Sequence, residues 1–450
     1  MKNDGKTGLS RKLGLFSLTN IVVANMIGAG IFTTSGLLMG ELHNPFVMIL
    51  LWVVGGAIAL CGAMSYGELG AAMPQAGGEY TFLSKLFHPI FGFLSGWVSF
   101  IVGFSAPIAA SAIGFSEYLF HAFPQLSVFF DFPEQSLKNI VSILVIVLFS
   151  LVHLRGLRFG SLVQDALTLL KVALVIGLIL AGFLLGSGDF SHFETDGLMA
   201  LDFGGWKTLG LSLMWIMFAY SGWNASTYIG SEIRNPEKNL PRSLLLGTGL
   251  VMLLYLLLNV LFIYALPPRD MEGVIAIGGL AVDHLFVGSM DTIVSLLIAF
   301  ALFSSLSAFI IIGPRVYYAM ARDGYFFKFL AEIHPVFKVP AKAILIQAFL
   351  SIVIVLTGTF DQILTYMGFA LGIFPILAVI GVFRLRRSGR SVLKLPGYPW
   401  VQLLYLSVSL FILMLALFER PMESSIALMT VLIGIPLFFI FKRVYRNRDI

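Results

Sequence analysis

Apolar residues in this chain run in long unbroken stretches, not at the intervals of an amphipathic helix. Twelve such stretches can be marked, near 15–40, 45–72, 89–120, 138–154, 160–186, 205–233, 241–266, 284–320, 343–358, 362–383, 399–418 and 424–441. A bilayer core takes about 20 consecutive apolar residues per helix. The strands of a membrane barrel would be short and alternating instead. The pattern therefore predicts an all-α polytopic membrane protein with twelve transmembrane helices. The first stretch carries no small-residue cleavage site and is followed directly by further spans, so no cleavable signal peptide is expected.

Composition agrees with that class. Of 450 residues, 58% are hydrophobic and 12% charged, about half the charge of a soluble domain. The single cysteine, Cys61, excludes a disulfide scaffold. The formal charge of +5 has a topological reading. With both termini in the cytoplasm, 24 of the 29 Lys and Arg residues fall in inner segments and only Lys138, Lys207, Arg269 and Arg420 fall outside. That asymmetry is the positive-inside rule. It predicts contact with anionic lipid and excludes a nucleic-acid partner.

Two spans carry interruptions. The first holds Gly28-Ala29-Gly30 at its centre and the sixth holds Tyr220-Ser221-Gly222. They open two five-helix halves, 13–186 and 205–384, within a single transmembrane domain covering 1–450, and two further helices follow over 399–441. Interruptions at matching positions of two halves mark the midplane site of a transporter. Backbone released at Ile27, Gly28, Ala29 and Gly30 exposes amides and a helix N-terminus to an anion such as a carboxylate. The same small residues also suit a helix-packing seam. In the sixth span, carbonyls at Phe218, Ala219, Tyr220, Ser221 and Gly222 suit an amine. Phe218 is placed to close over a ligand as a gate, and Trp223 suits ordinary packing.

Lys171 lies about eleven residues into the fifth span, roughly 16 Å along it. An ionisable group at that depth is a functional candidate. Its ammonium can bind the opened backbone of the first span in place of a cation, carry a coupling proton, or serve as a structural charge. Acids are absent from the middles of the first, third, sixth and tenth spans, which favours a neutral ligand. Glu68, Glu79, Asp165, Glu232 and Arg155 all fall on the inner side, as gating ion pairs or as solvated helix ends. The seven histidines have no metal-ligand spacing, and no Walker-type loop is present. No enzyme, metal site or cofactor is expected.

The motifs resemble those of the amino acid–polyamine–organocation superfamily, and within it the L-type amino acid transporters. Gly28-Ala29-Gly30-Ile31-Phe32 is similar to the superfamily's first-helix motif, and Pro74-Gln75-Ala76-Gly77-Gly78-Glu79-Tyr80 to its re-entrant segment. Val163-Gln164-Asp165 followed by Lys171 resembles the L-type fifth helix. Phe218 to Asn224, with Glu232 and Asn235 to Pro241, resembles the sixth-helix signature. Ala321-Arg322-Asp323-Gly324 with His334-Pro335 resembles the segment after the eighth helix. The stretch Ser304 to Ser307 departs from the Gly-Ser-rich version.

The resemblance implies the five-plus-five inverted-repeat fold of the leucine-transporter type and alternating access. It implies a substrate carboxylate on the backbone of Gly28 to Gly30, an amine near Phe218 to Tyr220, Phe218 as the gate, and Lys171 standing in for a sodium ion. The expectation is a sodium-independent carrier of neutral L-amino acids in a bacterial inner membrane, working by exchange or by proton coupling. A carrier of another amino acid, derivative or amine, and a non-transporting sensor on the same fold, are the alternatives. No cysteine lies between Phe120 and Lys138, where eukaryotic members bond an ancillary glycoprotein, so no such partner is expected.

Overall fold

The computed structural model describes residues 9–126, 132–194, 202–274, 277–286, 291–357, 360–419 and 421–446. Arg420 and the side chain of Ala29 lie outside what is described. The helices are α1 (Leu15–Met26), α2 (Ala29–Leu42), α3 (Pro45–Ala72), α4 (Glu79–Leu86), α5 (Pro89–Val98), α6 (Ser105–Ala122), α7 (Glu134–Leu154), α8 (Leu157–Leu185) and α9 (Phe203–Ala219). Then come α10 (Pro236–Ala265), α11 (Pro268–Met271), α12 (Ile277–Leu285), α13 (Asp291–Arg322), α14 (Ala341–Thr357), α15 (Phe360–Arg387), α16 (Trp400–Glu419) and α17 (Pro421–Phe441). Among the described residues there is no strand, only the isolated bridges Leu13 to Ile233 and Ala76 to Ile229.

Eight helical stretches among the described residues are long and apolar enough to cross a membrane, and two shorter apolar helices lie at Ala341–Thr357 and Trp400–Leu415. The exterior is apolar. Leu144, Leu148 and Leu151 on α7, Leu162, Leu169 and Leu180 on α8, and Leu345, Phe349 and Leu356 on α14 all point outward. Helices that are apolar on their outer face and still keep a packed interior suit lipid as the outer solvent.

The sixth span, marked in the sequence over 205–233 with an interruption at Tyr220-Ser221-Gly222, is α-helical only as far as Ala219, where α9 ends; beyond the motif, Ala225–Tyr228 and Gly230–Glu232 are short 3-10 turns. These turns are buried inside the bundle. Hydropathy registers burial, not backbone conformation, so the run continues past the helix end.

Helices five positions apart in span order pack on one another. The pairs are α2 with α9, α3 with α10, α6 with α13, and α7 with α14. Two ion pairs fasten the bundle, one fully buried and one with a buried carboxylate and a half-buried guanidinium. Arg315 on α13 meets Glu232 through two bonds of 3.0 Å, with a third to the Ile311 carbonyl at 2.7 Å. Arg386 on α15 meets Glu68 on α3 through two bonds of 2.7 Å, and its guanidinium lies 4.1 Å from the centre of the Tyr398 ring. The Glu232 carbonyl also accepts the amides of Lys12 and Leu13 at 2.9 and 3.0 Å, and Arg234 N–H donates back to the Leu13 carbonyl at 2.9 Å. The segment before α1 is thereby tied to the end of the sixth span.

Removing one member of a buried pair strands the other's charge, at a cost of about 3–5 kcal/mol. Arg315→Met is expected to lower the melting temperature of the purified protein in detergent, and adding Glu232→Gln is expected to recover most of the loss. An unchanged melting temperature in the single variant would show that the pair does not hold the bundle.

Candidate substrate site between two interrupted helices

The first interruption lies between α1 and α2, where Ile27 and Gly28 are extended. Opening a helix leaves carbonyls on one side and amides on the other without helical partners. Lys171 on α8, only 1% exposed, takes up the carbonyl side. Its Nζ donates to Ile27 O at 2.7 Å, to Ala24 O at 3.2 Å and to Ser305 Oγ at 2.9 Å. Three acceptors match the three N–H donors of an ammonium. Ser305 Oγ lies 2.7 Å from the same Ile27 carbonyl, so α13 joins the cluster. On the other side, the first amides of α2 present the positive end of a 14-residue helix.

The second interruption touches the first. A Cβ on Gly30 would stand 2.7 Å from Ala219 Cα, and one on Gly222 would stand 2.8 Å from the Asn25 carbonyl. Gly222 also has φ +98°, a conformation that glycine accepts without steric cost. Tyr255 on α10 spans both breaks, with its hydroxyl 2.6 Å from Met26 O and 3.1 Å from Ala219 O. The sequence marks Ser305 only as part of the stretch Ser304 to Ser307 and does not mark Tyr255; neither carries a local signal of what it meets.

A cavity of about 150 Å³ opens beside the second break. Of the candidate residues, Phe218, Ser221 and Gly222 line it, while Ile27, Gly28, Gly30, Ala219 and Tyr220 do not. The Tyr220 side chain turns away, donating to Trp52 O at 3.2 Å and packing edge-on against the Trp52 ring. Trp223 both packs edge-on against Tyr66 and lines the cavity. Asn25, not among the candidates, contributes a buried Oδ1 with no partner among the described residues, while its Nδ2 donates to Ile21 O at 2.7 Å. A buried orphan acceptor at the edge of this cavity suits a donor on a ligand.

The acids correct the reading of an acid-free pocket. Glu79 opens α4, is 6% exposed and lines the cavity. Among the described residues it forms no ion pair. Its carboxylate accepts from the Tyr66 hydroxyl and Asn224 Nδ2, each at 2.8 Å, from the Tyr228 hydroxyl at 3.3 Å and from the Ser95 hydroxyl at 3.4 Å. Glu232 and Glu68 are buried and paired as described above, not solvated. Asp165 accepts from Ser17 at 2.6 Å and Asn20 at 3.1 Å, and Arg155 is exposed. Among the described residues, no group of three His, Cys, Asp or Glu is placed to hold a metal ion.

Residues 13–441 match the amino acid permease family. The chain belongs to that family. This permease is 26% identical over 445 residues to the serine/threonine exchanger SteT of Bacillus subtilis (strain 168), covering 97% of this chain and 98% of the other. It is 27% identical over 449 residues to the human large neutral amino acids transporter small subunit 2, covering 97% and 81%. It is 26% identical over 444 residues to the mouse b(0,+)-type amino acid transporter 1, covering 97% and 88%. The superfamily resemblance seen in the motifs therefore extends over almost the whole permease, and these relatives are transporters, not enzymes. Family and apolar helices together make it a multi-pass membrane protein.

The contact between the two breaks is directly testable. Gly30→Val drives a branched side chain into the backbone at Ala219, an overpacking of about 1–3 kcal/mol. The variant is expected to lose binding of labelled amino acid in a scintillation proximity assay while still purifying as a monodisperse protein. Retained affinity would place the ligand away from these breaks.

Proposed function

We propose that this permease carries amino acids across a bacterial inner membrane by alternating access, exchanging one neutral L-amino acid for another without sodium. The observation that carries this reading is the pair of abutting helix breaks with Lys171 fixed to one of them. The substrate carboxylate is bound by the amides that open α2, at Gly28, Ala29 and Gly30. The ammonium is bound by carbonyls after Phe218 and by Asn25 Oδ1. Phe218, half-buried at the cavity wall, closes over the substrate. The ammonium of Lys171 supplies the positive charge that a bound cation would otherwise bring to the first break. Its three satisfied donors support a fixed charge, and hence exchange, over a proton carrier. The exchanger among its relatives supports the same choice.

The same reading takes the chain as twelve transmembrane helices in two inverted repeats, 13–186 and 205–384, with both termini in the cytoplasm. The packing of helices five positions apart supports the repeat, and the distribution of Lys and Arg supports the orientation. The pairs Glu232–Arg315 and Glu68–Arg386 then lie on the cytoplasmic side, where they close the inner path. The absence of cysteine between Phe120 and Lys138 supports a carrier that works without a disulfide-linked glycoprotein.

Uptake of labelled serine, threonine, leucine and phenylalanine into proteoliposomes tests this reading. Uptake is expected only into vesicles loaded with amino acid, at the same rate in sodium and choline buffers. Uptake into empty vesicles driven by an inward proton gradient would instead make Lys171 the leading proton carrier. Binding without any flux would favour a sensor.

A further inference from the structure

The cavity beside the second break contains a feature that recognition of a neutral amino acid leaves unused. Glu79 is a buried carboxylate surrounded by four donors, none of them basic. Among the described residues, three of those bonds end on Oε1, while Oε2 receives the long 3.4 Å contact from Ser95. Neutral donors solvate a carboxylate but leave its charge uncompensated, and an uncompensated charge in a low-dielectric interior is costly. The charge calls for a cation, and Oε2 has the acceptor capacity to receive one.

The walls around Glu79 fit such a ligand. Phe104, Trp223, Tyr228 and Tyr405 line the same cavity. Phe104 and Tyr228 meet edge to face with centroids 5.2 Å apart, and Trp223 and Tyr405 at 6.0 Å. Aromatic faces with a carboxylate among them attract organic cations. The spacing also fits. Asn224, which holds Glu79 at 2.8 Å, is two residues beyond Gly222, so at most about 7 Å of chain separates it from the break. Phe218, Ser221 and Gly222 at the break and Glu79 line one cavity, so a ligand held at the break shares a space with the carboxylate.

We propose that Glu79 is the anion of a cationic subsite, so that this permease also accepts amino acids whose side chain ends in a protonated nitrogen. The inference rests on the amino acid carrier reading above and extends its substrate class. The side-chain ammonium binds Glu79 Oε2 between the aromatic walls, and the α-carboxylate and α-ammonium remain at the two breaks.

The test is exchange into proteoliposomes loaded with unlabelled leucine, using labelled L-lysine, L-ornithine and L-leucine as external probes. Wild type is expected to exchange lysine and ornithine as well as leucine, and unlabelled lysine is expected to compete with labelled leucine. Glu79→Gln is expected to lower the lysine-to-leucine exchange ratio by at least about tenfold, the loss of one charge-assisted bond. Glu79→Asp keeps the charge and is expected to keep most of the ratio. Leucine exchange in wild type with neither lysine exchange nor competition would overturn the proposal and leave the carrier reading standing. An equal fall of both substrates in Glu79→Gln would also overturn it, making Glu79 a structural residue. Exchange of neither class by wild type would overturn the carrier reading and the proposal together. The wild-type competition measurement decides the matter even if a Glu79 variant fails to fold.

Discussion

Everything at the centre of this molecule depends on one ammonium group meeting one opened turn of helix. A helix cannot be broken in a bilayer unless its freed carbonyls find donors. Lys171 supplies them at Ile27 and Ala24, and Ser305 and Tyr255 close on the same turn from two further helices. The lysine is satisfied by the break, and the break is held open by the lysine. An amine that would be costly on the lipid face thereby finds three oxygen partners in the core.

The second interruption is built differently. It has no cation, and it is held by close approach. Ala219 lies against Gly30, Gly222 lies against Asn25, and Tyr255 bridges Met26 and Ala219. The two breaks are therefore one mechanical unit, with the amide end of α2 on one side and the cavity on the other. Below them, Glu79 collects donors from α3, α5 and the turns after α9. It joins the non-helical part of the sixth span to the start of α4.

Much of this was legible in the sequence, and the limits have physical causes. Lys171 stands out because an ionisable residue in mid-bilayer needs a reason. Gly28 and Gly30 stand out because three small residues interrupt an apolar run. The sequence does not reveal that Lys171 meets Ile27 across 144 residues, since no local pattern encodes a tertiary contact. Glu79 reads as an inner-side charge because it follows a glycine-rich turn. Its burial is created by Tyr66 and Tyr228, which lie on separate elements. Tyr220 sits in the right motif, yet its side chain points to Trp52 while Phe218, Ser221 and Gly222 line the cavity. Position along a broken helix fixes the backbone, and direction is settled only by packing.

The account therefore stands or falls on the charge at Lys171. The most direct measurement is leucine exchange by Lys171→Ala in leucine-loaded proteoliposomes, alongside its melting transition in detergent. The account predicts a variant that still melts cooperatively and exchanges leucine at least about tenfold more slowly than wild type, the loss of a buried charged contact. Exchange at the wild-type rate would contradict it, because the first break would then hold its shape and bind substrate without the ammonium.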